Sequence, residues 1–386
     1  MIRRRCDHIH IAVAGVLAFA LNLVLIPVVI RFSRRYGAYD TPGYRKLHAE
    51  PVPHLGGVGI VFSFLIAGAA GYLMLARSGA AGELLPWRDG LVIGGLVLTH
   101  VIGVLDDALD VHAFRKLLLQ FIPAGVIVAG GLVIERVGFL PAGPAVELGI
   151  FAAPVTVLWI VGVSTAVNLI DGMDGFAGGI TLVAAAAFCI LAVAGGAPVS
   201  AMAACALAGA VFGFLRFNLP PARIFMGDGG SLFAGAFLAA LAVTATGAEG
   251  GTMSILVAPV ILAVPLIDVF AAVLRRARRQ VPLHEPDREH IHHLLLHRFG
   301  SVPRALAAGF PMAALAAAGA VILVLVDGTV GTILAVAAPL ALIVMVARLD
   351  SRARRQLEAG AGRIRVLPAA QAGPEARRAH GFASRK

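Results

Sequence analysis

Runs of about twenty apolar residues, repeated along nearly the whole chain, constrain this sequence more than any other feature. A helix crossing a bilayer needs roughly 20 mostly apolar residues, each adding about 1.5 Å over about 30 Å of hydrocarbon. Such runs occupy residues 9–30, 55–76, 89–105, 116–134, 149–167, 176–195, 199–217, 230–248, 254–274, 306–326 and 329–347. They predict about eleven transmembrane helices and an all-α membrane protein. Hydrophobic residues make up 59% of the chain and charged ones 14%, against about half and about a quarter in a soluble domain. No aqueous core would hide so much apolar surface. The first run follows Arg3–Arg5, but it is longer than a signal-peptide core and lacks a small-x-small cleavage site, so it reads as a retained span. Residues 1–347 form the expected transmembrane domain. Residues 348–386 form a basic tail with no catalytic motif, suited to rest on anionic lipid.

The few charges are skewed. The formal charge is +10, which in a membrane protein is read as topology before nucleic-acid binding. If the eleven spans alternate, one face carries 26 of the Lys and Arg residues and the other 6. The positive-inside rule makes the richer face cytoplasmic, although Arg3–Arg5 lie on the poorer one. The three cysteines, Cys6, Cys189 and Cys205, form no C-x-x-C pair and suggest neither zinc nor a disulfide framework.

The unusual polar segments all fall in the loops assigned to the cytoplasmic face: 40–57, 106–116, 168–175, 218–231 and 284–297. Five distant segments at one face predict a single composite site. Asp106-Asp107 ends the third span, and adjacent carboxylates are costly unless a cation or a shared proton relieves them. A solvated helix end would also carry such a pair. Asp110 extends it to D-D-x-x-D, a spacing similar to magnesium–diphosphate sites. The segment Asn168-Leu-Ile-Asp171-Gly-Met-Asp174-Gly ends the fifth span. It offers one neutral and two anionic oxygens, the hard donors that Mg²⁺ prefers, and a plain turn would not need the whole array.

Met226-Gly-Asp228-Gly-Gly-Ser231 opens the eighth span. Glycines before a helix N-terminus form an anion site. Asp228 there is placed to hold a metal, with a helix cap at Asp228 or Ser231 as an additional role. No G-K-[ST] follows, so this is not a P-loop. Arg288, His290, His292 and His293 lie in the longest internal loop. Without a nearby cysteine they suit a diphosphate or uridine better than zinc. Arg45, Lys46 and His48 suit lipid or nucleotide phosphates as well as they suit a juxtamembrane basic cluster. Asp268 lies inside the ninth span. An ionisable residue there is a functional candidate, with pairing to Arg275 or Arg276 as the alternative.

With these residues in view, the sequence resembles the polyprenyl-phosphate N-acetylhexosamine-1-phosphate transferases of glycosyltransferase family 4, the group that includes phospho-N-acetylmuramoyl-pentapeptide transferase. The likeness runs from about Asp40 to Phe299. It rests on R-K-x-H at 45–48, D-D at 106–107, N-x-x-D-G-x-D-G at 168–175, G-D-x-G-S at 227–231 and P-D-x-x-H-I-H-H-L at 286–294. The resemblance implies that Asp228 coordinates Mg²⁺, with Mn²⁺ as an alternative, together with Asn168 or a carboxylate of Asp171 and Asp174. It implies that Asp106 and Asp107 deprotonate the prenyl phosphate or act as nucleophile. It implies that His290, His292 and His293 contact the donor. The pentapeptide-transferase stretch P-T-M-G-G is replaced by Pro53-His54-Leu55-Gly56-Gly57, which leans the donor toward UDP-N-acetylglucosamine.

The expected reaction moves a sugar-1-phosphate from a UDP-sugar to undecaprenyl or another polyprenyl phosphate and releases UMP, initiating a cell-envelope glycan. The expected setting is a bacterial inner membrane with a cytoplasmic site, membrane lipids as partners, no nucleic acid, and a homodimer allowed. One direct displacement and two steps through an aspartyl phosphate are both open on sequence. A secondary transporter shares the span count, but transporters place charge near the midplane of related halves, and no internal repeat is present. An inactive scaffold would have no use for D-D, N-x-x-D and H-x-H-H together.

Overall fold

The computed structural model describes residues 2–37, 39–40, 51–79, 87–141, 143–245, 252–281, 289–326 and 329–361. In chain order these form α1 (Ile2–Tyr36), the short antiparallel pair β1 (Tyr39–Asp40) and β2 (Val52–Pro53), α2 (Gly56–Arg77), α3 (Trp87–Leu109) and α4 (Ala113–Ala129). Strands β3 (Arg136–Gly138) and β4 (Ala145–Glu147) precede α5 (Ala152–Leu169), α6 (Phe176–Ala194), α7 (Pro198–Asn218) and α8 (Gly227–Thr244). The chain continues through β5 (Thr252–Ser254), α9 (Ala258–Ile261), α10 (Ala263–Arg279), α11 (Ile291–Phe299), α12 (Val302–Val326) and α13 (Thr329–Ala361).

The protein is an all-α, multi-pass membrane protein. Among the described residues nine helices are long and apolar enough to span: α1, α2, α3, α5 with its preceding 3₁₀ turn, α6, α7, α8, α12 and α13. Two of the eleven predicted spans come out differently. The run at 116–134 yields α4, 17 residues long, because Gly130 and Gly131 stop it and Gly131 adopts φ +91°. The run at 254–274 is broken between α9 and α10. Pro265 has no N–H to give the carbonyl of Ile261, so the helix restarts around Leu262. Helix α13 runs past the predicted span end to Ala361, and residues 362–386 lie outside the described residues.

The core is built around α8, in which every residue from Gly229 to Ala242 is buried. A helix apolar on all sides belongs in the middle of its bundle, and α8 touches α2, α3, α5, α6 and α7. Lipid tails are as apolar as these side chains, so close packing rather than water exclusion holds such helices together. Phe64 of α2 meets Phe233 and Phe237 edge-on, with centroids 5.5 and 4.7 Å apart. Strand β3 pairs antiparallel with β4 and parallel with β5. This small sheet joins the C-terminal ends of α4 and α8 to the N-terminal end of α5. The opposite ends of those three helices carry Lys116, Asp228 and Asn168, so the sheet marks one end of the bundle and the polar residues the other.

Candidate active site

The site is assembled on the N-terminal turn of α8. Gly56 and Gly57, at the start of α2, donate their backbone N–H groups to the carbonyls of Phe225 (2.9 Å) and Met226 (2.8 Å), while Phe225 donates to Pro53 (2.7 Å). The Pro53–Gly57 stretch therefore pins the loop that leads into α8. Gly227 makes the turn with φ +70°, and a Cβ there would collide with the carbonyl of His54; only glycine satisfies both demands. His100 of α3 donates Nδ1–H to the carbonyl of Gly229 at 2.9 Å and locks α3 against α8.

Within this frame the two adjacent carboxylates do different things. Asp107 accepts the N–H of Asp228 on Oδ1 (2.9 Å) and the N–H of Gly229 on Oδ2 (3.1 Å). Both its oxygens thus cap α8, meeting two of the donors that a helix N-terminus leaves unpaired. The cap comes from α3, not from Asp228 or Ser231 as the sequence suggested. Asp106 accepts the N–H of Val111 on Oδ1 (3.0 Å) and the ammonium of Lys116 on Oδ2 (2.9 Å). Lys116 also meets Oδ2 of Asp228, so one cation bridges α3 and α8. Asn168 donates Nδ2–H to Asp228 Oδ1 (2.7 Å) and to Ser231 Oγ (2.8 Å).

Asp171 and Asp174 lie in the turn after α5. Burial, and then the charges of Asp228, Asp107 and Asp174, push the Asp171 carboxyl well above the usual carboxylate range. Asp174 has turned the other way: its Oδ2 accepts the N–H of Ala222 (3.0 Å) and braces the loop before α8. Asn218 completes that brace, accepting from Gly175 N–H (3.0 Å) and donating to the Ile224 carbonyl (2.9 Å).

The histidine segment docks from the other side. Asp268, fully buried on α10, does not pair with Arg275 or Arg276. It accepts His290 Nδ1–H on Oδ2 (2.8 Å) and the N–H of Ile291 on Oδ1 (2.6 Å). Arg275 and Arg279 take Glu289 instead, at 3.4 and 2.5 Å. His290 and His292 stack in parallel, and His293 leans on His292 with centroids 4.2 Å apart. His290 and His292 are buried and His293 is half-buried. Burial, then the neighbouring His293 and His290, holds the His292 ring well below the ordinary histidine range, so it is neutral.

The structure thus gathers Asp106, Asp107, Asn168, Asp171 and Asp228 at one end of the bundle. Arg45, Lys46, His48 and Arg288 lie outside the described residues. Lys116 was missed as a site residue. Its one signal was a lysine entering an apolar run six positions after D-D-x-x-D, and that signal is identical to an ordinary juxtamembrane charge. His100 was missed as a lone histidine inside a span.

Among the described residues, four carboxylates (Asp106, Asp107, Asp171 and Asp228) face one ammonium, that of Lys116, in this cluster. That excess of hard anionic oxygen fits a divalent cation such as Mg²⁺ in charge and in donor type. Among the described residues no three His, Cys, Asp or Glu side chains are already closed into a ligand set.

Comparison with known proteins adds independent findings. The family model described as Glycosyl transferase family 4 matches residues 90–246. A Bacillus subtilis protein named "Probable undecaprenyl-phosphate N-acetylglucosaminyl 1-phosphate transferase" is 35% identical over 288 residues, 75% of this chain and 78% of the relative. The decaprenyl-phosphate N-acetylglucosaminephosphotransferase of Mycolicibacterium smegmatis is 30% identical over 362 residues, 87% of each chain. The phospho-N-acetylmuramoyl-pentapeptide-transferase of Desulforudis audaxviator is 35% identical over 308 residues, 72% of this chain and 89% of the relative.

Proposed function

This chain belongs to glycosyl transferase family 4, and from that premise we propose that it transfers N-acetylglucosamine-1-phosphate from UDP-N-acetylglucosamine to a polyprenyl phosphate, releasing UMP. The observation that carries the reading is the Asp106–Lys116–Asp228 bridge beside the capped N-terminus of α8. Two anions must meet for phosphoryl transfer, so a site needs positive charge, fixed positions and a proton acceptor. Undecaprenyl phosphate is the acceptor we favour, and the setting we infer is a bacterial inner membrane with the polar end of the bundle in the cytoplasm.

Each residue then has a task. Asp107 holds the two amides that open α8, while Asp106 shares the Lys116 ammonium with Asp228, so we assign the proton of the lipid phosphate to Asp106. Lys116 offsets the negative charge that Asp106 and Asp228 would otherwise concentrate, and places its ammonium where phosphate oxygens arrive. Asp228, oriented by Asn168 and joined by Asp171, would hold Mg²⁺. The metal, when bound, supplies Lewis-acid relief of charge on the diphosphate. His293 and the basic residues Arg45, Lys46, His48 and Arg288 contact donor or lipid phosphates. The lipid phosphate oxygen attacks the β-phosphorus directly, the bond to the UMP oxygen breaks, and UMP leaves. A phosphorylated enzyme trapped without acceptor would replace this single displacement with two steps.

The test is UMP release by the purified protein with undecaprenyl phosphate, Mg²⁺ and a panel of UDP-sugars. Release requires lipid phosphate, stops on chelation and is fastest with UDP-N-acetylglucosamine. No release with any donor, in protein shown to be folded, rejects the transferase.

A further inference from the structure

Resting on the transferase reading above, we propose that Asp268 is a positioning residue for the donor, acting through His290 and the start of α11. Asp268 is wholly buried and touches no open space, so it is not a substrate contact. Its carboxylate makes two bonds that converge on one point of the chain. Oδ1 takes the first backbone N–H of α11, and Oδ2 takes Nδ1–H of the residue just before that helix. A carboxylate only accepts hydrogen bonds, so it fixes Nδ1 of His290 as the protonated nitrogen and sets the plane of the ring. No side chain of α11 itself caps the helix; the charge on α10 does so from outside.

What this clamp orients is visible in the next two residues. The His290 ring lies parallel to His292, 3° between planes and 5.9 Å between centroids. His292 in turn packs on Gly172, where any Cβ would run into its Nε2. Gly172 is the neighbour of Asp171. The order Asp268, His290, His292, Gly172 is therefore a continuous line from α10 to the acidic turn, and His293 rides on it, less buried than the other two histidines. His292 Nδ1 is buried with no hydrogen-bond partner. An unmet ring nitrogen is costly to bury, so the ring is held by its packing between His290 and Gly172 and not by a hydrogen bond of its own Nδ1. Loosening Asp268 leaves the acceptor side on α3, α4 and α8 in place but lets His292 and His293 drift from the donor.

Asp268→Asn preserves volume and an acceptor for Ile291 N–H, yet presents an amide donor to His290 Nδ1. Outer partners that orient a metal-ligating histidine typically contribute about 10–100-fold, and the same order is expected for a histidine that orients the donor side. The expected result is a fall of about that size in kcat/KM for UDP-N-acetylglucosamine, with KM for the polyprenyl phosphate unchanged. His290→Ala, which removes the ring that Asp268 holds, should lose as much as Asp268→Asn. A purely structural Asp268 would lower both substrates' constants together with the melting temperature. Wild-type kinetics for the donor and the acceptor, measured alongside, show whether the transferase reading itself stands. A ring-¹⁵N histidine spectrum of the full chain in nanodiscs reads the clamp without turnover. Asp268→Asn shifts the His290 nitrogens if the proposal holds. Unchanged ring nitrogens, or an Asp268→Asn enzyme with wild-type donor kinetics, overturn it.

Discussion

Replacing Lys116 by Met removes one ammonium and keeps roughly the same volume. The structure sets the size of the effect. Lys116 Nζ lies 2.9 Å from Asp106 Oδ2 and also bonds Asp228, with side-chain exposures of 17%, 10% and 26% for the three residues. At an effective dielectric of about 20, one such pair is worth ~6 kcal/mol before desolvation. Removing one partner of a buried pair costs about 3–5 kcal/mol, because the other charge is left uncompensated. Here two carboxylates are left at the point where two more anions, lipid phosphate and diphosphate, must be drawn together. If about 3 kcal/mol of that cost falls on the barrier, kcat drops by about 10²-fold or more. The assay is UMP release at saturating donor, lipid and Mg²⁺, on variant protein shown to melt cooperatively. Activity within about threefold of wild type would refute the reasoning and reduce Lys116 to a structural tie between α3 and α8.

The remaining expectations concern the other acids and the turn. Asp107→Ala leaves the N–H groups of Asp228 and Gly229 without their cap, at about 1–3 kcal/mol for each buried donor. Its melting temperature should fall further than that of Asp106→Asn, which should instead lose about 10²–10⁴ in turnover as a missing proton acceptor; equal melting of the two would contradict the division of labour. The Asp171 carboxyl is held above its unfolded value, so its contribution to stability is full below the ordinary carboxylate pKa and is lost as pH rises through the folded one. Asp171→Asn should therefore raise the melting temperature in metal-free buffer at pH 8 and lose that advantage toward pH 4. A gain that grows on acidification would reverse the sign. Gly172→Ala forces His292 off the turn and should cut kcat/KM for the donor by about tenfold, with the polyprenyl-phosphate KM unmoved.

Much of this molecule was legible because its spans and its chemistry obey different rules. Apolar length alone located α1, α2, α3, α5, α6, α7, α8, α12 and α13. It failed where backbone chemistry overrode hydropathy, at Gly130–Gly131 and at Pro265. Asp106, Asp107, Asn168, Asp171 and Asp228 were found because acids and amides at the ends of apolar runs are expensive and therefore conspicuous. Their division of labour was not legible. Nothing in the doublet Asp106-Asp107 says which carboxylate turns to α8, since that depends on how α3 packs against it through His100. Lys116 was hidden among positive-inside charges. Asp268 stood out as an ionisable residue inside an apolar run, but the partners the sequence offered as the alternative were arginines on its own helix. Its partner His290 is 22 positions away, and only the return of the chain from α10 to α11 brings the two together.

The central claim is that the β-phosphorus of the donor moves to the lipid. UDP-N-acetylglucosamine labelled with ³²P at the β-phosphate, incubated with the purified protein, undecaprenyl phosphate and Mg²⁺ and then extracted into butanol, tests it directly. The account predicts label in the organic phase, one UMP released for each labelled lipid formed, and neither without lipid phosphate. Label that stays with UDP in the aqueous phase, whether or not the sugar moves, would contradict it.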